Sequence, residues 1–343
     1  MFNNSMKQLN LDTKKMPLGK LSKQQISKGF DTLDELEDAI KTNANNTRLA
    51  ELSSRFYTLI PHDFGRRVPP VMKTEDEIRE KKDMLLVLSD IELAQSIQKQ
   101  KASEVSAATL QHAESQEELP PHPLDEKFQL LKTSISPLAK DCEEFKWIEK
   151  YIKETGNRAK LDEVFKIDRE KEGERFASHK NLTHRKLLWH GTNLAVVVAI
   201  LKDGLRIMPH SGGRVGRAIY FASENSKSAG YTSGTWSTGM QMGEMTGIMF
   251  LAEVALGNEY SITKDDHTLK KPPTGYDSVV ARGHTEPDDA GALSVTLEGN
   301  KVVIPAAKPR KRPEFSNSYF HQSEYCVYKE SQARLRYLLK VKL

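Results

Sequence analysis

Apolar positions recur at helical spacing through the first third of the chain and give way to short strand-like runs in the rest. Ser22 and Gln25 have the spacing of a capping box, with Leu21 and Ile26 placed around it as a hydrophobic staple. Thr32 and Glu35 repeat that spacing, and Leu33, Leu36 and Ile40 then fall on one helical face. Thr74 and Glu77 open a third, longer helix running to about Lys101. Within it Met84-Leu85-Leu86-Val87-Leu88 is apolar all round, which suits a helix buried in the middle of a bundle. Pro61, Pro69 and Pro70 punctuate the stretch before it. No chemistry-bearing cluster is apparent in this third.

Between Gln111 and Asp125 the chain turns polar and acidic and breaks at Pro120-Pro121-His122-Pro123. Such a stretch predicts a domain boundary, giving a helical domain over 1–112, a linker over 113–124 and a second domain over 125–343. In the second domain, helices near 125–135 and 143–155 precede strands near 187–190, 218–222, 248–256, 277–281, 301–305, 323–328 and 334–341. A helix from Asn193 to Lys202, closed by Gly204, lies between the first two strands. Strands without regularly interposed helices argue against a doubly wound parallel sheet and for a mostly antiparallel α+β domain.

At 343 residues the chain has room for both domains, and 38% hydrophobic with 29% charged residues is ordinary for a soluble protein. No run approaches the ~18 apolar residues of a membrane span, and the N-terminus lacks the pattern of a signal peptide. Cys142 and Cys326 are the only cysteines, too few for a disulfide framework or a zinc finger, so a reducing compartment is expected. A net charge of +4 is too small to establish nucleic-acid binding. The one basic cluster, Lys308, Arg310, Lys311 and Arg312, reads as a solvated loop, with a nuclear-import signal or an anionic partner as the sharper alternative.

Candidate chemistry lies in the second domain. Ser211-Gly212-Gly213-Arg214-Val215-Gly216 fails as a dinucleotide fingerprint, because Ser211 stands where the first glycine is needed and a strand follows instead of a helix. It remains either a surface loop or a cover for a phosphate-bearing ligand through backbone N–H groups and Arg214 or Arg217. An apolar run delivers His190 to its end, where Gly191 permits close approach to the backbone. Tyr220 is flanked by Ile219 and Phe221, so by itself it reads as core. Glu324, among Tyr325, Val327 and Tyr328, points either to solvent or inward for chemistry. Ser228 and Tyr231 lie on a short helix-like segment, where the tyrosine either packs as a lid or stacks on a flat ring.

Together, His190-Gly191-Thr192, Ala218-Ile219-Tyr220-Phe221, Ser226 to Tyr231 and Ser323-Glu324-Tyr325 resemble the His-Tyr-Glu signature of poly(ADP-ribose) polymerases. Met16 to Ser22 and Phe56 to Asp63 resemble that family's regulatory helical domain, so the resemblance runs over essentially the whole chain. Gly204 to Arg214 and Ala281 to Pro287 resemble its DNA-break-associated, mainly mono-ADP-ribosylating branch. The resemblance implies an N-terminal α-helical bundle followed by a diphtheria-toxin-like ADP-ribosyltransferase domain with mostly antiparallel sheets. NAD is then a consumed substrate, and no metal is expected. It implies that Gly191 and Ser228 hold the nicotinamide carboxamide, that Tyr231 stacks on its ring and that Tyr220 shapes that pocket. His190 would bond the adenine-side ribose, with Thr192 and Arg206 nearby, and Glu324 would accept from the nicotinamide ribose.

It further implies a nuclear, monomeric enzyme that modifies proteins, itself and histones among them, with nucleic acid as a further acceptor and no membrane partner. The helical domain would be autoinhibitory. DNA breaks would be sensed by an upstream tryptophan-glycine-arginine module that is not in this sequence, so the chain reads as a catalytic fragment. The competing expectations are an NAD glycohydrolase using the same pocket and a catalytically silent module that binds NAD or ADP-ribose. The chain departs from the family pattern at Ala218, where glycine is usual, and in loops 232–247 and 305–314.

Overall fold

A computed structural model describes residues 22–65, 67–74, 77–78, 81–82, 84–85, 88, 125, 128–156, 159–192, 194–207, 213–232 and 246–343. Its internal contacts divide the chain into two compact units, Met1–Leu130 and Leu131–Leu343.

The first unit is helical. Helix α1 (Lys23–Lys41) opens with the expected box: the Ser22 hydroxyl accepts from the Gln25 N–H at 3.2 Å, and the Ser22 N–H donates to the Gln25 side chain at 3.1 Å. The second box spacing does not start a helix. Thr32 is buried inside α1, and its hydroxyl donates back to the Lys28 carbonyl at 2.7 Å, so burial overrides a capping pattern that polar spacing alone predicts. Helix α2 (Asn46–Leu59) is capped by Asn45, whose side-chain oxygen accepts from the Arg48 N–H at 2.9 Å. Phe30, Leu33, Leu36, Leu52 and Phe56 form a core with Met84, Leu85 and Leu88 of the third helical segment, where the Thr74–Glu77 box is also made. The Lys82 ammonium joins that segment to α1 by ion pairs to Asp34 at 2.7 Å and Glu37 at 2.5 Å. Leu86, Val87, the remainder of the third helix and the linker expected at 113–124 lie outside the described residues.

The second unit is built on sheets. In chain order it contains β1 (Thr133–Pro137), α3 (Glu143–Thr155), β2 (Lys160–Arg169), α4 (Glu172–Ala177), β3 (Arg185–Gly191), α5 (Val197–Asp203), β4 (Ile219–Ala222) and α6 (Asn225–Ala229). There follow β5 (Thr246–Ala255), β6 (Glu259–Ile262), β7 (Ser278–Ala281), β8 (Gly283–Pro287), β9 (Leu293–Leu297), β10 (Asn300–Ile304), β11 (Pro309–Lys311), β12 (Phe320–Gln322), β13 (Glu324–Val327) and β14 (Ala333–Lys342). The main sheet runs β1-β2-β14-β5-β3-β4-β13-β7-β6, with β10 also on β3 and β9 on β10, while β11-β8-β12 forms a smaller sheet. Only β3/β10, β6/β7 and β8/β12 are parallel pairs among the described residues, so the unit is a mostly antiparallel α+β fold.

Strand β5 reads as a near-continuous apolar run because both faces are covered, and β14 is buried along most of its length although it carries Arg334, Arg336, Lys340 and Lys342. Phe250, Ala252, Val254, Leu335 and Leu338 enter one core with α5, and Met249, Leu251, Tyr337 and Leu339 enter another with α3. Helix α3 stands where the pattern predicts it and turns Phe145, Ile148, Tyr151 and Ile152 inward. The helix expected at 125–135 does not extend that far: the chain turns at Lys132, whose φ is 51°, and becomes β1. The expected 193–202 helix starts as a 3₁₀ turn, Leu194–Val196, and ends at Gly204 with φ 82°.

Candidate active site

His190 and Gly191 end β3, held on one side by a full ladder to β5 but on the other by a single registered pair with β4, Trp189↔Ala222. Beyond that pair the two strands part. The His190 Nδ1 lies 3.0 Å from the Tyr220 carbonyl. A carbonyl can only accept, so Nδ1 carries the proton and Nε2 of the neutral ring is left as an acceptor. Burial holds the imidazole below its ordinary pKa, against the pull of that hydrogen bond, which keeps this tautomer at neutral pH.

Gly191 is required sterically. A Cβ there would lie 1.9 Å from the Ser228 carbonyl oxygen, so β3 and α6 touch through their backbones. Ser228 is itself buried, and Tyr231, three residues on, is exposed.

Tyr220 sits on β4 with its hydroxyl committed to the preceding loop. It donates to the Gly216 carbonyl at 2.6 Å and accepts from the Val215 N–H at 3.0 Å. Burial, with smaller contributions from Cys326 and Glu324, holds the phenol well above its ordinary range, so it stays protonated. The glycine-rich segment is therefore a tight turn, Gly213 to Gly216, closed over a tyrosine. Its Arg214 is stacked 4.1 Å above Phe320 and paired with Asp265 at 2.7 Å, so that charge is occupied within the fold. Ala218 is buried, and its φ is not positive, so its methyl causes no backbone strain.

Glu324 opens β13 between β4 and β7, in register with Ala222 and Ala281, and is buried. Its Oε1 accepts from the Lys227 ammonium at 2.6 Å, and that ammonium also donates to the Gln322 carbonyl at 3.1 Å. The pair offsets the cost of burying a carboxylate. Lys227 is the neighbour of Glu324 that sequence reasoning did not single out. A lysine between two serines on a short helix reads as a solvated face, and only the contact between α6 and β13 gives it a role.

Alternation along the strands divides the candidates. Trp189, Ala222 and Glu324 form a cross-strand row, and Tyr220 shares their face, as does Gly191 where it meets Ser228. His190 points the other way and rests against Phe221, ring centroids 5.7 Å apart. Carboxylate, phenol, glycine and serine are thus gathered on one face, and the imidazole stands on the other. Thr192 is buried just past β3, and Arg206 is half exposed, 3.9 Å from Glu330.

Two of the four residues of the basic cluster are ion-paired. Arg310 pairs with Asp288 at 2.8 Å and Arg312 with Asp289 at 3.0 Å, and Pro309–Lys311 forms β11 instead of a loose loop. Residues 233–245, most of the other divergent loop, lie outside the described residues. Among the described residues no cluster of three or more His, Cys, Asp or Glu side chains is placed to hold a metal ion, and no helix is long and apolar enough to cross a membrane.

A strand-borne histidine-glycine end, a tyrosine and a buried glutamate on neighbouring strands define a poly(ADP-ribose) polymerase catalytic domain, and residues 142–343 match the profile of that domain. Residues 1–128 match the family's regulatory domain, and the chain belongs to the poly(ADP-ribose) polymerase family. More particularly, it is 55% identical to the protein mono-ADP-ribosyltransferase PARP3 of Mus musculus, over 100% of this chain and 63% of that protein. It is 53% identical to the same-named protein of Homo sapiens, over 100% of this chain and 62% of that one. It is 37% identical to poly [ADP-ribose] polymerase 1 of Xenopus laevis, over 98% of this chain and 32% of the relative. The chain thus spans about three fifths of the length of its mono-ADP-ribosyltransferase relatives.

Proposed function

We propose that the chain transfers single ADP-ribose units from NAD to protein acceptors and releases nicotinamide. What carries this reading is Glu324: a buried carboxylate, paired to Lys227 at 2.6 Å, on the same face as the Gly191–Ser228 contact. A nicotinamide group placed against that contact would bond its carboxamide to the Gly191 backbone and the Ser228 hydroxyl, with Tyr231 over its ring. The attached ribose would lie before Glu324. The far end of NAD, passing the gap where β3 and β4 part, would present its ribose hydroxyl to the acceptor Nε2 of His190, with Thr192 and Arg206 beside it.

Breaking the bond from C1′ to the pyridinium nitrogen sends the electron pair to nitrogen. Nicotinamide then leaves as a neutral molecule and the positive charge passes to the ribose as an oxocarbenium ion. Glu324 stabilises that cation more than the ground state, which is how a fixed anion accelerates the step. No general acid is needed. The acceptor oxygen attacks the face opposite nicotinamide, inverting the centre, and its proton passes to Glu324 or to water.

The names of the similar proteins support single-unit transfer. The nuclear location, the monomeric state, the response to DNA breaks and the acceptors named earlier rest on the family resemblance alone. They are tested by imaging a fluorescent fusion, by sedimentation, and by incubation with labelled NAD and histones, with and without nicked DNA. Glu324→Gln is expected to bind NAD as before and to lose most transfer, read by mass analysis of the modified protein. Unchanged transfer would sink the assignment, and free ADP-ribose without modified protein would mark a glycohydrolase.

A further inference from the structure

Helix α6 spans only Asn225–Ala229, too short to hold its shape unaided, yet it must keep the Lys227 ammonium on Glu324. The Thr155 hydroxyl accepts from the Asn225 N–H at 3.1 Å, and a second anchor of the segment is Gln322, at the end of β12. Its carbonyl accepts from Lys227 at 3.1 Å, and its side-chain nitrogen donates to Glu224 at 2.6 Å and to Ser226 at 2.7 Å. Both amide hydrogens are used, and three of the four residues from Glu224 to Lys227 are tied to one side chain and its backbone. Glu224 is buried, and its other oxygen accepts from the Thr285 hydroxyl at 2.7 Å. Thr285 lies beside Gln322 because β8 and β12 run parallel in that register. Burial raises the cost of the Glu224 charge, and the bonds from Gln322 and Thr285 oppose it, so either donor is missed if removed.

We propose that Glu224 and Gln322 are positioning residues for the transfer step, clamping Lys227 over Glu324. The inference rests on the role given above to Glu324. Neither residue touches the reacting atoms. They fix where the ammonium sits, and so which oxygen of Glu324 is tied and which faces the ribose. Such an arrangement affects the chemical step more than the binding of NAD.

The test uses the full chain and steady-state kinetics with NAD. Glu224→Gln sets amide hydrogens against amide hydrogens, and Gln322→Glu sets two carboxylates together. Each is expected to lower kcat about ten-fold while the KM for NAD stays within about two-fold. The double exchange Glu224→Gln with Gln322→Glu restores donor to acceptor at the same net charge, and should recover most of the lost kcat. In a Lys227→Met background, Glu224→Gln should cost nothing further, because the clamp acts through that lysine.

Full kcat in Glu224→Gln, an equal loss in the Lys227→Met background, or no recovery in the double exchange would overturn the proposal. Should Lys227→Met fall below detection, the double exchange decides alone. Should Glu224→Gln fail to fold, Thr285→Val removes one bond to the same carboxylate and should lower kcat in the same direction, with unchanged kcat counting against the clamp. Glu324→Gln is run alongside. If it keeps transfer, the catalytic reading fails; if it loses transfer while the Glu224 and Gln322 variants do not, only the clamp fails.

Discussion

Gly191→Ala is the sharpest perturbation this fold offers, because the required displacement can be read from the structure. The new methyl would sit 1.9 Å from the Ser228 carbonyl oxygen and 2.7 Å from its carbon, where ordinary contact begins at 3.4 Å. Strand β3 and helix α6 must therefore part by about 1.5 Å. Neither can yield cheaply: β3 is laddered to β5 from Arg185 to Gly191, and α6 is tied to Gln322 and Glu324. A misplacement of about 1 Å typically costs on the order of a hundred-fold in rate, so kcat/KM for NAD should fall at least that far. The neighbouring Gly230→Ala is the control. Its Cβ would meet only the Lys227 carbonyl, at 3.5 Å, and its φ of −62° suits any residue. That variant should be as stable as the parent, or more stable by roughly 0.4–1 kcal/mol. Both are assayed by nicotinamide release and by thermal unfolding. Gly191→Ala with parental kcat/KM would refute the claim that these two backbones form the carboxamide site.

Three further outcomes follow from the same geometry. Tyr220→Phe leaves the Val215 N–H and the Gly216 carbonyl without their partner, and should destabilise the catalytic unit by about 1–3 kcal/mol; an unchanged melting temperature in calorimetry would contradict it. The His190 ring, whose pKa burial lowers from 6.5, should show no NMR inflection at that pH. Its contribution to stability is complete above the unfolded value and is lost as pH falls through the lower folded one, and a ring titrating at or above 6.5 would disprove the assignment. Deleting residues 1–112 should raise basal NAD consumption, since the helical unit is proposed to restrain the enzyme; a soluble deletion with no increase would count against restraint.

How much was legible varied with what each residue faces. Helix α3 could be read because a single apolar stripe and an acidic first turn mark it. The flanking strands β1 and β2 could not: β2 carries Lys160, Asp162, Glu163, Lys166 and Asp168, charges a peripheral strand tolerates but which mask its inward Val164 and Ile167. The Thr32 spacing misled because capping is a local signal, whereas its hydroxyl is satisfied within a continuous helix. In the site, His190 and Gly191 carried a signal in their own neighbourhood. Glu324 took its meaning from the family signature, since burial of a lone glutamate is decided by strands far away in sequence. Lys227 and Gln322 carried none, because their partnership arises only where β12, β13 and α6 meet.

The parting of β3 from β4 has a wider consequence. An unpaired strand edge on a protein surface invites other chains to add to it. Here the parting lies in the interior of a sheet, with β5 beyond β3 on one side and β13 beyond β4 on the other. In the proposed placement the carboxamide meets the Gly191 backbone, with the Ser228 hydroxyl as its side-chain partner. Compounds that imitate a primary carboxamide would therefore meet the same surface in any relative that keeps both. At the flanks, Glu224, Thr285 and Gln322 offer side chains in place of backbone.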